Sequence, residues 1–340
     1  MKDCLKEYLV DVPVAIQAFI RPEMLKKQWE VICQARPSTI IIRSDGPRKD
    51  VPTDNKKIKE SREIVENIDW KCDVHRLYFD ENQGLYGMIE LSDKYIWERF
   101  DRCIFLEDDQ IPSVSFFKYC EYLLEKYKDD KRVYCIHGVN LCGTWDRVNS
   151  DYFFARVPAS SGIAMWRRSY LQQDRELKYK YDSYISNLMY KKTPWYLNKQ
   201  FKKFAQSGTF ANHPPASEFY VRYAEICQNQ LVIVPKFNLI NNIGVGEGST
   251  HTANNLKTLP KALQKLYNMR VHEMNFPMKD AEFIIPDINF ERKREQQLGV
   301  SSRIQYILRL INRCVRLIIF GESNRLFNGI VKNIHHSVEK

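Results

Sequence analysis

The sequence predicts an α/β protein: a mainly parallel sheet covered by helices on both faces, with a helical extension at the C-terminus. Three observations carry that prediction. Short apolar, β-rich runs alternate with stretches of helical period through the first 136 residues, and such alternation builds βαβ units. The runs give way at their carboxyl ends to polar or glycine-bearing turns. One of them, Arg102-Cys103-Ile104-Phe105-Leu106-Glu107-Asp108-Asp109, ends in three consecutive carboxylates before Gln110-Ile111-Pro112.

In chain order, Val14 to Phe19 reads as a first strand closed by Ile20-Arg21-Pro22, and Met24 to Ala35 has helical spacing. Thr39 to Ser44 is a second strand turned by Asp45-Gly46-Pro47-Arg48, and Lys56 to Ile68 is a charged amphipathic helix. Cys72 to Tyr78 alternates as a third strand, after which Asp80 to Gly84 opens a helix through Trp97. The acidic run is the fourth strand, Ser115 to Lys128 a helix, and Val133 to Ile136 a fifth strand. In a parallel sheet of this kind ligands bind outside the carboxyl ends of the strands. Arg21, Asp45-Gly46, Asn82-Gly84 and Glu107-Asp108-Asp109 should therefore gather along one rim. The second half is less regular and aromatic-rich, and reads as long polar helices from Tyr181 to Phe204.

The totals fit one large domain with an appendage: 340 residues, 44% hydrophobic and 28% charged. Nine cysteines stand singly with no Cys-x-x-Cys spacing, which argues for a reducing compartment. The first residues lack the apolar core of a signal peptide, and no run of about 18 apolar residues predicts a spanning helix. Residues 291–340 hold 10 Lys/Arg against 4 Asp/Glu, a net +6 out of the whole chain's +10. So the excess charge sits in a basic appendage, and a uniformly nucleic-acid-binding surface is excluded.

Three adjacent acids at a strand end repel one another unless a hard cation sits among them. The plain alternative is a solvated acidic turn. Taken together, Phe19-Ile20-Arg21-Pro22, Asp45-Gly46-Pro47-Arg48, Ile68 to Cys72, Glu81-Asn82-Gln83-Gly84, Phe105 to Asp109, Gly162 with Met165-Trp166-Arg167-Arg168, and Pro235 through Asn242-Ile243-Gly244 to His251-Thr252 resemble a nucleotide-sugar glycosyltransferase of the GT-A (Rossmann-like) fold. The resemblance covers roughly residues 13 to 255. It is to bacterial polysaccharide glycosyltransferases of the hemolytic-protein-like group and, more distantly, to Glu-Asp-Asp N-acetylglucosaminyltransferases.

The resemblance implies Mn²⁺ or Mg²⁺ bound by Asp109, with Glu107 and Asp108 serving the ribose or the metal's waters. It implies nucleotide contacts from Phe19, Arg21, Asp45, Gly46, Asn82 and Gly84, with Asp45 facing the base, which suits uridine. A guanidinium such as Arg21 is a bidentate diphosphate clamp; its plainer reading is a surface ion pair. Asn82 and Gly84 open a helix whose free amides attract anions, though an ordinary cap would look the same. The lysine that relatives carry after this loop is replaced by Leu85-Tyr86-Gly87.

An acceptor hydroxyl needs a carboxylate base. Glu218, in Ser217-Glu218-Phe219 where relatives show Trp-Asp-aromatic, is the candidate, with Asp182 and Glu225 as fallbacks. His251 is a further candidate metal ligand in a loop from Asn241 to Thr252 that would close as a lid, and Gly162 with Trp166 a candidate acceptor wall, Trp166 being equally readable as core.

From Ile304 to Ile319, Ile304, Ile307, Ile311, Cys314, Val315 and Ile318 fall on one arc and Gln305, Arg309, Asn312, Arg313 and Arg316 opposite. That is the pattern of a helix lying in an anionic membrane interface; the alternative is packing against the body or a second subunit. The expected organisation is a catalytic domain over 1–255 (nucleotide half 1–140, acceptor half 141–255), an extension over 256–299 and a membrane-associating tail over 300–340, with residues 300–320 making the contact. The expected activity is inverting transfer of a hexosyl or N-acetylhexosaminyl group from a UDP-sugar to a glycan or lipid-linked saccharide. This would serve bacterial surface polysaccharide synthesis at the cytoplasmic face of the cell membrane. A sugar-phosphate nucleotidyltransferase would want a glycine-rich, lysine-bearing loop after the first strand, and a non-catalytic membrane-docked saccharide- or nucleotide-binding scaffold is the third reading.

Overall fold

The computed structural model describes residues 5–156, 162–198, 202, 217–245 and 255–324. Its body is a mixed α/β layer built on one eight-stranded sheet. The first half follows the expected alternation: β1 (Val10–Gln17), α1 (Pro22–Ala35), β2 (Pro37–Ser44), α2 (Thr53–Ile64), β3 (Asp73–Tyr78), α3 (Gly84–Arg99) and β4 (Arg102–Leu106). A short β5 (Gln110–Pro112), α4 (Ser115–Lys126) and β6 (Val133–His137) follow. β1 lies between β2 and β4 and β2 between β1 and β3, all parallel. Period-2 alternation sorts the side chains. Val14, Ile16, Ile40, Ile42, Ile104 and Leu106 pack on one face with α1 and α4, while Ala15, Ile41 and Cys103 pack on the other with Trp97 of α3.

The second half adds strands to the helical stretch expected from Tyr181 to Phe204, part of which lies outside the described residues. It supplies four more strands: β7 (Tyr152–Ala155), β8 (Ile163–Trp166), β9 (Leu231–Pro235) and β10 (Ile240–Asn242). Its helices are α5 (Arg167–Tyr170), α6 (Ser183–Lys192) and α7 (Ser217–Gln228). β8 inserts antiparallel between β4 and β6, β9 runs parallel to β6, and β7 closes the edge antiparallel to β9. These strands were hard to read because they are only four or five residues long and buried on both faces, which erases the alternation signal.

The segment after residue 255 is not a separate layer. Met274 and Met278 join the core beside α1 and α4, and Phe290 packs with Trp145 and Phe153 on the other face. Asp280 accepts from Tyr122 and Tyr152, and Glu273 receives the backbone N–H groups of Val114 and Ser115 that open α4. After α8 (Lys261–Gln264) and α9 (Ile288–Gln297), the chain ends its described course in α10 (Arg303–Ile319). That helix meets the body through its polar side. Arg309 Nη1 donates to the Leu298 carbonyl at 2.8 Å, Arg316 Nε to the Lys257 carbonyl at 2.6 Å, and Asn312 Oδ1 accepts from Lys261 N at 3.1 Å. Leu317 is buried, whereas Ile304, Ile307, Ile311, Val315 and Ile318 stay 45–72% exposed.

Candidate functional site

Because β1 to β4 are parallel, the residues that follow them meet on one rim. Arg21 precedes α1, whose first helical residue is Pro22, a position where the missing N–H costs nothing. Its guanidinium reaches the turn after β4. Nε donates to Asp108 Oδ2 at 3.0 Å, Nη1 to Asp109 Oδ2 at 2.9 Å, and Nη2 to Asp108 Oδ1. Asp108 and Asp109 are 3% and 7% exposed, so two carboxylates are buried side by side on one cation. Burial pushes Asp108 up to about 6; Arg21 pulls it down and Asp109 pushes it up further.

The turn is held from beneath by two buried glutamines to which the sequence reading gave no role. Gln28 Nε2, from α1, donates to the carbonyls of Glu107 and Gln110. Gln110 Oε1 accepts from Glu107 N at 3.2 Å and Gly162 N at 2.8 Å. A Gln at a helical core position was the available signal, since a fully buried amide must have partners.

From the other side, β10 pairs antiparallel with β5, which brings Asn241 to Val245 over the acids. Ile243 N donates to the Asp109 carbonyl at 2.9 Å. A Cβ on Gly244 would stand 1.9 Å from Asp109 Oδ2, so only glycine lets that strand end lie against the carboxylate. Asp109 Oδ1 is buried with no hydrogen-bond partner among the described residues. An orphaned, desolvated carboxylate oxygen beside a second carboxylate suits a hard divalent cation, so the residues present fit Mg²⁺ or Mn²⁺.

The remaining expected nucleotide contacts form a second cluster. Asp45 Oδ1 accepts from Gly46 N and Gln83 N, both at 2.8 Å, and Asn82 Nδ2 donates to Asp45 Oδ2 at 3.0 Å and to the Gly46 carbonyl at 2.8 Å. Burial raises the Asp45 pKa against those amides. A Cβ at Gly46 would meet the Glu81 backbone at 2.4 Å, and Gly84 has φ +71°. Asp45 and Asn82 therefore first tie two loops together, which leaves Asp45 less free to face a base than expected. Phe19 sits half-buried after β1, and Glu107 is exposed at the rim.

Gly162 is brought to the rim, with φ +61° and its amide on Gln110. Trp166 is not brought there. β8 is antiparallel to β4, so Ile163 faces Phe105 near the acids while Trp166 faces Arg102 at the far end. There Trp166 is 4% exposed, donates to the Leu124 carbonyl and lies under Arg168, whose guanidinium carbon is 4.2 Å from the ring centroid. It is core. Asp182 caps α6, accepting from Tyr184 N and Ile185 N, which accounts for it without catalysis. Glu218 lies in the first turn of α7, but its side chain is outside the described residues, as is His251 altogether.

A second buried group could also hold a metal. Cys135 and His137, alternate residues of β6, face Glu225 of α7, and all three are buried. Cys135 Sγ is 3.3 Å from His137 Nε2, while His137 Nδ1 and Glu225 Oε1 lack partners among the described residues. Burial drives His137 down to about 3 and Glu225 up to about 7, with Arg222 and Arg294 nearby. Burial thus keeps the imidazole and the thiol neutral and shifts Glu225 toward its protonated form. The eight cysteines within the described residues are all free.

No protein-family model matches the chain, and no curated protein matches it in sequence. Among solved structures it is similar to a UDP-glucose pyrophosphorylase complexed with UDP-glucose (14% identity, 67% of this chain and 91% of that one, TM-score 0.33). It is also similar to mouse xyloside xylosyltransferase 1 (10%, 66% and 84%, TM-score 0.35). A third is the galactosyltransferase LgtC in complex with donor and acceptor sugar analogs (9%, 48% and 60%, TM-score 0.29). All three superpositions are loose.

Proposed function

We propose that this chain is an inverting, metal-dependent glycosyltransferase that moves a hexosyl or N-acetylhexosaminyl group from a UDP-sugar to a hydroxyl of a glycan or lipid-linked saccharide. The observation that carries the reading is the buried turn in which Arg21 clamps Asp108 and Asp109 while Asp109 Oδ1 stays unpartnered. Asp109, with Asp108 beside it, would hold Mn²⁺ or Mg²⁺; when bound, that ion supplies Lewis-acid charge to a departing diphosphate. Arg21 fixes both carboxylates and adds positive charge at the rim. Glu107, exposed next to them, faces the ribose. The Asp45–Asn82 tie sets the shape of the loop pair where the base rests, and the segment from Asn241 to Gly244 walls the acids from above. Glu218, at the start of α7, takes the acceptor's proton.

In this proposal α10 seats the enzyme on the anionic inner face of a bacterial membrane, where a surface polysaccharide or its lipid-linked precursor is built. Its apolar arc stays exposed because Arg309, Asn312 and Arg316 face the body. Among the described residues no helix is long and apolar enough to cross a membrane.

The test is release of nucleoside diphosphate from UDP-sugars with and without Mn²⁺, in wild type and in Asp109→Asn and Glu218→Gln. Metal-dependent release that Asp109→Asn abolishes is the expected result. Glu218→Gln should keep Mn²⁺-dependent stabilisation by UDP, which raises the melting temperature by mass action, while losing transfer. Exchange of phosphate for diphosphate would instead make the chain a nucleotidyltransferase. Binding without turnover of any donor would make it a scaffold.

A further inference from the structure

A second helix shows its apolar side to solvent. On α6 the inward positions are filled by Met189, which packs with Leu177, Tyr179, Tyr220 and Tyr223. Outside stand Tyr184, Ile185 and Leu188, at 69%, 40% and 39% exposure, with Tyr181 at 77% just ahead of the Asp182 cap. Leu188 follows Ile185 by three residues and Tyr184 by four, which puts all three on one face of the helix. Trp195 follows at 40% exposure, with its ring 5.6 Å from that of Tyr306 on α10. That ring pair joins the segment just after α6 to α10.

We propose that α6 with Trp195 is a second membrane-seating element, so that the bilayer-facing surface is composite and α10 is only half of it. The inference rests on the reading of α10 as an interfacial helix. Charge selects the occupant. Between residues 176 and 192 the chain carries Lys178, Lys180, Lys191 and Lys192 against Glu176, which pairs with Lys178 at 3.6 Å, and Asp182, which is engaged in capping α6. On α10, Arg303 and Arg313 are exposed. Two copies joined through this surface would bring like charges together, whereas anionic headgroups neutralise them. Tyrosine and tryptophan flanking aliphatic side chains suit the headgroup level, where one end of the ring is apolar and the other wet.

Trp195 is a built-in reporter, because the other five of the six tryptophans are at most 7% exposed. The full chain is mixed with phosphatidylcholine vesicles, with or without phosphatidylglycerol, whose acyl chains carry bromine. Expected are binding that needs phosphatidylglycerol and quenching that Trp195→Phe abolishes. Tyr184→Ser with Leu188→Ser should weaken binding about tenfold, as should Ile307→Ser with Ile311→Ser, from lost apolar burial. Melting curves show that each pair folds, as expected for exposed positions. If wild type binds with Trp195 unquenched and the α6 pair binds like wild type, α6 is not a membrane element and α10 acts alone. If no vesicle is bound, both readings fall. Self-association that the α6 pair abolishes, without vesicle binding, would assign the surface to a second copy and also overturn the proposal.

Discussion

Asp108 and Glu225 are both buried carboxylates whose pKa burial has raised, to about 6 and about 7. They differ in what lies beside them. Asp108 has a guanidinium on both oxygens and a second acid at its flank. Glu225 has a thiol and a neutral imidazole, with Arg222 and Arg294 acting on it only through their field. In the first cluster a bidentate pair favours the charged form against burial; in the second no such pair does, and burial favours the neutral acid. Desolvation acts alike on both, and the partner decides which protonation state survives. A site built to meet a cation belongs to the first kind, since an acid already ionised needs no proton removed before it can act as a ligand.

Breaking the pair at the rim should have the largest effect. Arg21→Ala strands Asp108 and Asp109 without their cation, and removal of one partner of a buried ion pair costs about 3–5 kcal/mol. Urea denaturation near neutral pH measures it. Mn²⁺ should restore more stability to the variant than it adds to wild type, because a divalent ion takes over the lost charge. A loss below about 1 kcal/mol would mean that the two acids already share a proton and need no guanidinium.

Glu225→Gln probes the other cluster, and its sign is opposite. A carboxyl whose folded pKa lies above its unfolded value binds protons more tightly in the folded state. Its contribution is neutral below the ordinary carboxylate range and turns destabilising as pH rises to about 7. Gln mimics the protonated form. The variant should match wild type near pH 4.5 and exceed it above pH 7, by at most about 3 kcal/mol. His137, held neutral with a pKa of about 3, acts in the other direction. Its cost grows as pH falls below the usual imidazole value, and it does so in both proteins, so it cancels from the difference. Thermal melts across that range check the crossover.

The same contrast explains what the sequence could disclose. The rim was legible because a parallel sheet forces Arg21, Asp45, Asn82 and Asp109 to one end, and β1 to β4 are apolar or alternating runs separated by stretches of helical spacing. The buried trio was not: Cys135 and His137 look like any β-strand pair until Glu225 arrives from a helix some ninety residues on. Trp166 stayed open between wall and core because the direction of β8 is a topological fact, set by its insertion between β4 and β6. Gln28 escaped for a similar reason, since its partners are backbone carbonyls about eighty residues away. Met274, Met278 and Phe290 complete the core, but they carry too little periodicity for the sequence to show it.

The smallest expected effect on stability separates fold from site at the rim. Gly244→Ala places a methyl 1.9 Å from Asp109 Oδ2, and neither side yields freely. Arg21 pins the carboxylate, while Ile243 N holds the neighbouring backbone to the Asp109 carbonyl. Overpacking of this kind costs about 1–3 kcal/mol, and a strand end followed by a loop should relax toward the lower value. The displaced atoms are the ones that would face a cation, so stabilisation by Mn²⁺ with UDP should disappear even though the chain still folds. Gly87→Ala is the control: its nearest neighbour would be the Gln83 Cβ at 3.4 Å, an ordinary contact away from the acids. If Gly244→Ala kept full Mn²⁺-dependent stabilisation, the orphaned Asp109 oxygen would be a tolerated core defect, and the acidic turn would be no more a metal site than the trio around Glu225.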